Sequence, residues 1–233
     1  MQALHRVRDR LVGQRTGVIN QIRAFMLERG IAVRQGLRSL RSELPGILAT
    51  RTDVLSPRML RIIEDLAGDW RRLDERIEGL SSEIETLARQ DQACERLMTV
   101  PGIGPIISSA MVAAIGTGDV FSKGRDFGAW LGLVPKQIST GDRTILGKIS
   151  RHGNRYLRSL FVQAAWVVLV KIGPKHWDRY GLKSWIEAAR KRLHHNVLAI
   201  ALANKLARIA WAVLNKGRAF ECVKTNEAAY RPA

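Results

Sequence analysis

A run of nine apolar residues between Met59 and Leu87 constrains the fold most, because its members are separated alternately by four and three positions. This is the a/d spacing of a coiled coil, kept over four heptads. Ser56 and Pro57 just before the run are typical of an N-cap and a first helical residue. The sequence therefore predicts a long helix whose seam pairs with another helix, in the same chain or in a second copy. The alternative is one long helix packed on its own domain.

A second amphipathic helix is predicted over residues 2–29. Apolar residues recur on one side, arginines occupy the other, and Gly30 is a suitable terminator. Residues 36–57 contain Pro45-Gly46 and are predicted to be a linker with a short helix at most. The two long helices are able to fold back on each other as a hairpin.

The charge of the chain points to a polyanionic partner. Among 233 residues there are 38 Lys and Arg against 21 Asp and Glu, which gives a net charge of +17. Nucleic acid is the commonest partner of so basic a protein. The excess is uneven, because residues 59–93 hold nine acids and five bases, whereas residues 171–218 hold eleven bases and two acids. The heptad region is therefore not expected to lie on nucleic acid.

Cysteine content and hydropathy favour a cytoplasmic protein without a membrane segment. Cys94 and Cys222 are the two cysteines, they lie far apart, and neither belongs to a CxxC motif. They suggest neither a disulfide framework nor a zinc site. The first residues are charged and do not resemble a signal peptide. The longest apolar run, residues 160–172, contains Gln163 and Lys171 and is too short to span a bilayer.

From Cys94 onward the pattern predicts short helices joined by Gly/Pro turns. Residues 136–149 alone resemble a strand or loop, so the chain is predicted to be mainly α: long coiled-coil helices followed by a compact helical domain. The predicted helices in this half are residues 106–115, 123–131, 154–170, 183–192 and 196–214.

Residues 97–116 resemble a helix-hairpin-helix element. Its turn would be Gly102-Ile103-Gly104, in which the glycines let the backbone approach a phosphate while the next helix points its N-terminal amides at it. Binding of this kind ignores base sequence. A dinucleotide-binding loop is disfavoured, because no strand precedes the turn. A purely structural corner between two helices is the alternative.

The loop predicted over residues 136–149 contains a hydroxyl pair, Ser139 and Thr140, in a turn with Arg143 close behind. A serine can attack phosphorus if its hydroxyl is activated and cations hold the phosphate. An ordinary Ser-Thr-Gly-Asp turn is the alternative.

A group of cations follows that loop. Arg151, Arg155 and Arg158 recur at helical spacing, and Lys148 lies just before them; Gly153-Asn154 is a suitable helix start. One helix face would then present a row of cations to phosphates. A solvated helix face is the alternative.

Together these motifs resemble the C-terminal transposase domain of the insertion-sequence 110/116/902 transposases. The order and spacing of the motifs also resemble that family, and the two long helices resemble its central coiled-coil region. The matching blocks are Pro101-Gly-Ile-Gly-Pro, Gly132-Leu-Val-Pro-Lys-Gln, Ser139-Thr-Gly, Gly147-Lys-Ile-Ser-Arg-His-Gly-Asn, Arg155-Tyr-Leu-Arg and Ala201-Leu-Ala-Asn-Lys-Leu-Ala-Arg.

The resemblance implies a mechanism. Family members join this domain to an N-terminal ribonuclease-H-like domain with four acidic residues that bind divalent metal. The serine of the Ser-Ser/Thr-Gly turn, here Ser139, is the nucleophile on DNA, and a structured bridge RNA guides target and donor choice. The resemblance implies no cofactor within this chain; magnesium is expected only with the acidic domain.

The chain is accordingly expected to be a C-terminal part of a bacterial transposase, opening inside the helical region. Its predicted domains are 1–93, which mediates homo-oligomerisation, and 94–233, which binds DNA. Alone it is expected to bind DNA without cutting it. The alternatives are a non-catalytic nucleic-acid-binding remnant and a helix-hairpin-helix architectural protein.

Overall fold

The computed structural model describes residues 1–141 and 143–222, and over these the chain is mainly α-helical, as predicted. It divides into two compact units: Ala3–Glu83, and the chain from Ile84 onward together with Met1 and Gln2. The helices that build the first unit are α1 (Gln2–Leu27), α2 (Leu37–Thr50) and α3 (Pro57–Arg89).

The hairpin predicted for the two long helices is present. Arg8 Nε donates to Ser81 Oγ at 2.8 Å, and Arg15 Nη1 donates to Asp74 Oδ1 at 2.9 Å, so α1 and α3 run antiparallel. Alternate seam residues of α3 are buried, as Ile63, Trp70 and Ile77 show. The helix begins as predicted, with Pro57 first and Ser56 Oγ accepting from the Met59 amide at 3.3 Å. Coiled-coil pairing with a second copy stays a prediction.

The prediction of a linker over residues 36–57 is wrong, because α2 occupies most of it. Leu40 and Leu44 are buried one turn apart, against Ile22, Met26 and the α3 seam. This apolar spacing outweighs Pro45, which lies inside the helix. Gly30 terminates α1 as predicted, with φ of +73°.

The described part of the second unit contains six further α-helices, a π-helical turn, a 3-10 helix and one hairpin of strands. Its predicted helices are confirmed within a few residues of their bounds, except that the one predicted over 154–170 changes to a π-helical turn at Val167–Ile172. The elements are α4 (Gln92–Met98), α5 (Pro105–Ile115), α6 (Gly124–Trp130), β1 (Pro135–Thr140), β2 (Arg143–Ile149), α7 (Arg155–Trp166), α8 (Lys183–Arg190) and α9 (His195–Lys216), with a 3-10 helix at Pro174–Tyr180 before α8.

The long helix α9 lies in the core of this unit, against α4, α6, α7 and α8. It buries Leu202, Leu206 and Ala210, and the core continues through Phe127 and Phe161. By length and hydropathy α9 could cross a membrane, but half of its apolar window is buried inside the unit. Its apolar character is explained by its place in the core.

Candidate functional site

Ser139 lies in a strand, not in the predicted turn. Strand β1 pairs antiparallel with β2, so that Ser139 faces Thr144 and Thr140 faces Arg143 across the hairpin. The turn is one position later, where Gly141 has φ of +58°; Asp142, the one acid of this region, lies outside the described residues. Every described residue from Pro135 to Lys148 is exposed, so the hairpin is in contact with solvent on both faces.

The alternation of side chains separates Ser139 from Arg143. Residues directly opposed on paired strands share a face, and successive residues change face. Ser139 therefore shares its face with Thr144 and Gln137, whereas Arg143 shares the other face with Thr140. The Gln137 side-chain amide donates to Ser139 Oγ at 2.9 Å. Gln137 thus holds the serine oxygen as an acceptor and leaves its proton free for another partner.

The base of the hairpin, where the chain enters β1 and leaves β2, is held by close backbone contacts between residues 130–132 and residues 151–153. We call these contacts the clasp. An added Cβ at Gly132 would lie 2.3 Å from the His152 carbonyl oxygen, and one at Gly153 would lie 1.8 Å from the Trp130 carbonyl oxygen. The Arg151 amide donates to Gly132 O at 3.2 Å, and the Asn154 amide donates to Trp130 O at 3.3 Å. Only glycine permits this approach at the two positions.

Arg151 adopts a strained conformation inside the clasp. Among the described residues it is the one non-glycine with positive φ, at +58°. A left-handed conformation costs an L-residue about 1–2 kcal/mol. Its side chain is exposed. Strain of this kind, held by the surrounding structure, often accompanies a functional position.

The predicted row of cations on one helix face is wrong in its geometry. The helix α7 begins at Arg155, with Asn154 Oδ1 accepting from the Leu157 amide at 3.0 Å, so Arg151 lies before the helix. Arg155 and Lys148 are exposed. Arg158 is half-buried, and its Nη1 donates to Leu131 O at 2.8 Å and to His152 O at 3.1 Å. Arg158 thus ties α7 to the clasp.

In the predicted helix-hairpin-helix element, α4 and α5 flank a turn at residues 99–104. An added Cβ at Gly102 would lie 2.6 Å from the Ala164 carbonyl oxygen, so this glycine packs against the backbone of α7. Ile103 is buried in the core. A Cβ added at Gly104 would meet no atom within 4 Å, so there is open space beside this residue of the turn. Phosphate binding at Gly102, Ile103 and Gly104 stays a prediction. Close packing against α7 is by itself sufficient to require glycine at position 102.

Sequence reasoning missed two cations of α9, Lys205 and Arg208. They lie beside Lys148 and Arg151 around a cavity of about 1110 Å³ at the base of the hairpin. Their signal was present in the sequence: Ala201, Lys205 and Arg208 recur at helical spacing, on the side of α9 opposite its buried Ala203 and Ala210.

The described residues contain no group of three or more His, Cys, Asp or Glu side chains placed to hold a metal ion. Cys94 is not a nucleophile either, because burial, with a contribution from Asp91, raises the pKa of its thiol to about 11. Within the described residues, Ser139 is therefore the nucleophile candidate that the sequence singled out and that the structure presents to solvent.

Comparison with known proteins defines the class of the chain. Residues 94–182, which include the hairpin, the clasp and α7, match the sequence model described as Transposase IS116/IS110/IS902 family. The chain is therefore related to enzymes that move insertion sequences. It belongs to the IS116/IS110/IS902 family of transposases.

Three relatives extend the similarity to the first unit. The transposase for insertion sequence element IS1328 of Yersinia enterocolitica is 40% identical over 94% of this chain. A protein of Pseudomonas aeruginosa named a probable family 20 transposase is 39% identical over all of it. The transposase for insertion sequence element IS1111A of Coxiella burnetii is 36% identical over 95%. The chain spans 64%, 65% and 60% of the length of these relatives.

Proposed function

We propose that this chain is the strand-transfer part of a transposase in which the Ser139 hydroxyl attacks a DNA phosphodiester. One observation carries the proposal: Ser139 is exposed on a hairpin whose base is held by the backbone clasp. This hairpin lies inside the segment that matches the transposase family. A serine so placed can reach a backbone phosphate without displacing any part of the core.

The chemistry assigns one role to each nearby group. Ser139 Oγ forms a bond to phosphorus, the bond from phosphorus to the departing deoxyribose oxygen breaks, the serine proton passes to a base, and the departing oxygen gains a proton. Gln137 orients Oγ through its 2.9 Å hydrogen bond. The exposed cations Lys148, Arg151 and Arg155 hold the flanking phosphates.

The chain needs a partner for activation. An unactivated serine is a weak nucleophile, and the hydrogen bond that the structure shows at Ser139 Oγ comes from an amide, not from a base. The described residues also form no metal site. We therefore propose that carboxylates and magnesium are supplied with an acidic ribonuclease-H-like domain, and that a bridge RNA guides the assembly in the cytoplasm. Alone, the chain binds DNA without cutting it.

The experiment compares two neighbouring hydroxyls. In a protein completed with the acidic domain, guide RNA and magnesium, Ser139→Ala abolishes recombination and the covalent protein–DNA adduct. Thr140→Ala is the matched control, because Thr140 is adjacent but faces the other side of the hairpin. Recombination at the parental rate in Ser139→Ala would overturn the proposal. Loss in Thr140→Ala alone would move the nucleophile to Thr140.

A second candidate function is that of a non-catalytic DNA-binding remnant. It is favoured by the hydrogen bond that the structure shows at Ser139 Oγ, which comes from the Gln137 amide and not from a base. The completed protein decides between the two, since a remnant forms no covalent adduct at Ser139 under any of these conditions.

Oligomerisation through the first unit is a further part of the proposal. Ile77 is buried inside the unit, so a charge there would unfold the α1–α3 hairpin itself. Ile62 and Val7 are 38% and 45% exposed and test pairing between copies more cleanly. Ile62→Lys with Val7→Lys lowers the mass seen in sedimentation to that of a single chain. An unchanged mass with intact helicity would exclude these residues from the interface.

A further inference from the structure

A concave surface at the base of the serine hairpin has the features of a binding site. It is enclosed by the lower part of β2, by the exposed side of the first half of α9 and by Trp185 of α8. Its volume of about 1110 Å³ lies slightly above the range for small-molecule sites, about 300–1,000 Å³. We call it, together with the recess described below, the α9 groove.

The floor of the groove is apolar although it is open to solvent. Val197 is 50% exposed and Leu146 is 65% exposed, and Trp185 is only half-buried. Clustered exposed apolar side chains of this kind mark interaction surfaces in soluble proteins. The apolar residues that line the groove are Leu133, Pro135, Leu146, Ile149, Trp185, Val197, Ile200 and Ala201.

The rim of the groove is cationic. Lys148 and Arg151 stand on the hairpin side, and Lys205 and Arg208 stand on α9. Among the described residues that line this cavity there is no Asp or Glu. The Lys205 ammonium lies over the Trp185 ring, 5.1 Å from its centre, in a cation–π contact with one face of the indole.

The cations continue beyond the cavity. A second recess of about 550 Å³ shares Lys205 and Arg208 with it and adds Lys123 and Arg125 at the start of α6. The acid nearest in sequence, Asp126, caps the start of α6, where its carboxylate accepts from the Lys123 backbone amide at 3.1 Å. Six cations thus follow one path from the hairpin along α9 to α6.

We infer that the α9 groove binds an unpaired segment of a DNA strand, with its phosphates along the six cations and one or more unstacked bases on the apolar floor beside Trp185. A cationic path tracks a phosphate backbone, and an aromatic or apolar floor accommodates base faces. In a duplex those faces are already stacked, so the floor would have no partner. This assignment rests on the proposed function, because the strand held here would be the one that Ser139 attacks.

The groove and the serine share one structural element. Leu146–Ile149 of β2 line the groove, and the same hairpin presents Ser139. A strand lying in the groove therefore leaves it along the hairpin. An unpaired nucleotide there would fix the register of the strand relative to the nucleophile.

The experiment measures binding of single-stranded and duplex DNA to the full 233-residue chain. The probes are a labelled oligothymidylate of about 12 nucleotides, within the site size of single-strand binding folds, and a duplex of the same length. Ala201→Trp fills the floor without changing charge. Lys205→Gln with Arg208→Gln removes two rim cations, and Lys175→Gln with Lys216→Gln is the matched control outside the groove.

Because the new indole occupies the place of a base, Ala201→Trp should weaken oligothymidylate binding by about 5- to 150-fold, the loss expected when one base can no longer stack, and leave duplex binding unchanged. The double rim variant should reduce the slope of log affinity against log salt by about 1.4 for the single strand, whereas the control pair leaves it unchanged. Thermal melting confirms that each variant is folded. Binding of the oligothymidylate should quench the fluorescence of Trp185, and Trp185→Phe should remove that part of the signal.

Two results would overturn the inference. One is equal loss of duplex and single-strand binding in Ala201→Trp, and the other is intact single-strand binding in all of the groove variants. Ser139→Ala separates this inference from the proposed function. Single-strand binding that persists in Ser139→Ala supports the groove irrespective of chemistry. Intact binding in all groove variants, with recombination still lost in Ser139→Ala, leaves the proposed function standing and removes the groove.

Discussion

Gly132 lies so close to His152 that an added Cβ would stand 2.3 Å from the His152 carbonyl oxygen. Gly132→Ala should therefore lower the free energy of unfolding by roughly 2–4 kcal/mol, from the left-handed φ of +69° and from the displaced backbone together. Gly141→Ala is the matched control, because Gly141 has φ of +58° and open space around it. It should cost only about 1–2 kcal/mol. Urea titration measures both; equal losses would contradict the clasp.

Replacement of Arg151 should separate stability from DNA binding. Arg151→Gly relieves the strain of the left-handed conformation, but glycine has greater conformational entropy in the unfolded chain, which offsets part of the gain. The free energy of unfolding should therefore rise by about 0.5–1 kcal/mol. Arg155→Gly, in the first turn of α7, should instead lose up to about 1 kcal/mol. Each removes one cation and should reduce the salt slope of duplex binding by about 0.9. Calorimetry measures the stability of each variant, and a salt titration of duplex binding measures the slope. A loss of stability in Arg151→Gly would show that the backbone of Arg151 is not strained.

Asp74 joins three helices of the first unit through its carboxylate. Its Oδ1 accepts from Arg15 of α1 at 2.9 Å, and its Oδ2 accepts from Arg41 of α2 at 2.5 Å. Asp74→Asn should cost about 1–3 kcal/mol, because the amide keeps one acceptor oxygen, so that one of the two hydrogen bonds is lost and the other loses its charge assistance in a half-buried place. Asp69→Asn, which removes the exposed pair with Arg72 on α3, should change stability by less than about 0.5 kcal/mol. Similar losses in the two variants, measured by chemical denaturation, would show that Asp74 is not a junction.

His5 should make the first unit sensitive to acid. Burial, with a contribution from Arg8, lowers the pKa of His5 from 6.5 to about 4 in the folded protein. The unfolded chain therefore takes up the proton first as pH falls, and the stabilising contribution, complete above pH 6.5, is lost as pH decreases toward about 4. The loss should approach about 3 kcal/mol. Denaturation midpoints at several pH values should show this slope in the parent and in the exposed-site control His176→Gln. The slope should disappear in His5→Leu.

The sequence predicts those parts of the fold that depend on local periodicity. The heptad spacing gave the bounds of α3 within two residues, and Gly30 marked the end of α1. The prediction from sequence failed at α2, where the Pro45-Gly46 pair suggested a break but the buried Leu40 and Leu44 sustain the helix. A proline signal is local, whereas the burial that overrides it depends on packing against other helices.

The candidate site was predictable in composition but not in geometry. Ser139, Lys148 and Arg151 were identified as residues, yet their arrangement depends on the strand register and on the clasp. Arg158 illustrates the limit: its spacing indicated a phosphate contact, and the structure shows it bound to two carbonyl groups. The clasp joins residues about twenty positions apart in sequence, so no short-range pattern could reveal it.

Because the clasp closes the hairpin at its base, the tip is free to change in length without disturbing the core. Insertion of one residue in β1 between the clasp and Ser139 would turn the hydroxyl to the opposite side of the hairpin, since strand side chains alternate. Insertion of a residue pair on each strand would restore its side and carry it about 6–7 Å farther out. The reach of the nucleophile is therefore adjustable in steps of two residues on each strand, except where a bulge absorbs an odd residue, as the shift of register between Pro135 and Gln137 does near the base of this hairpin.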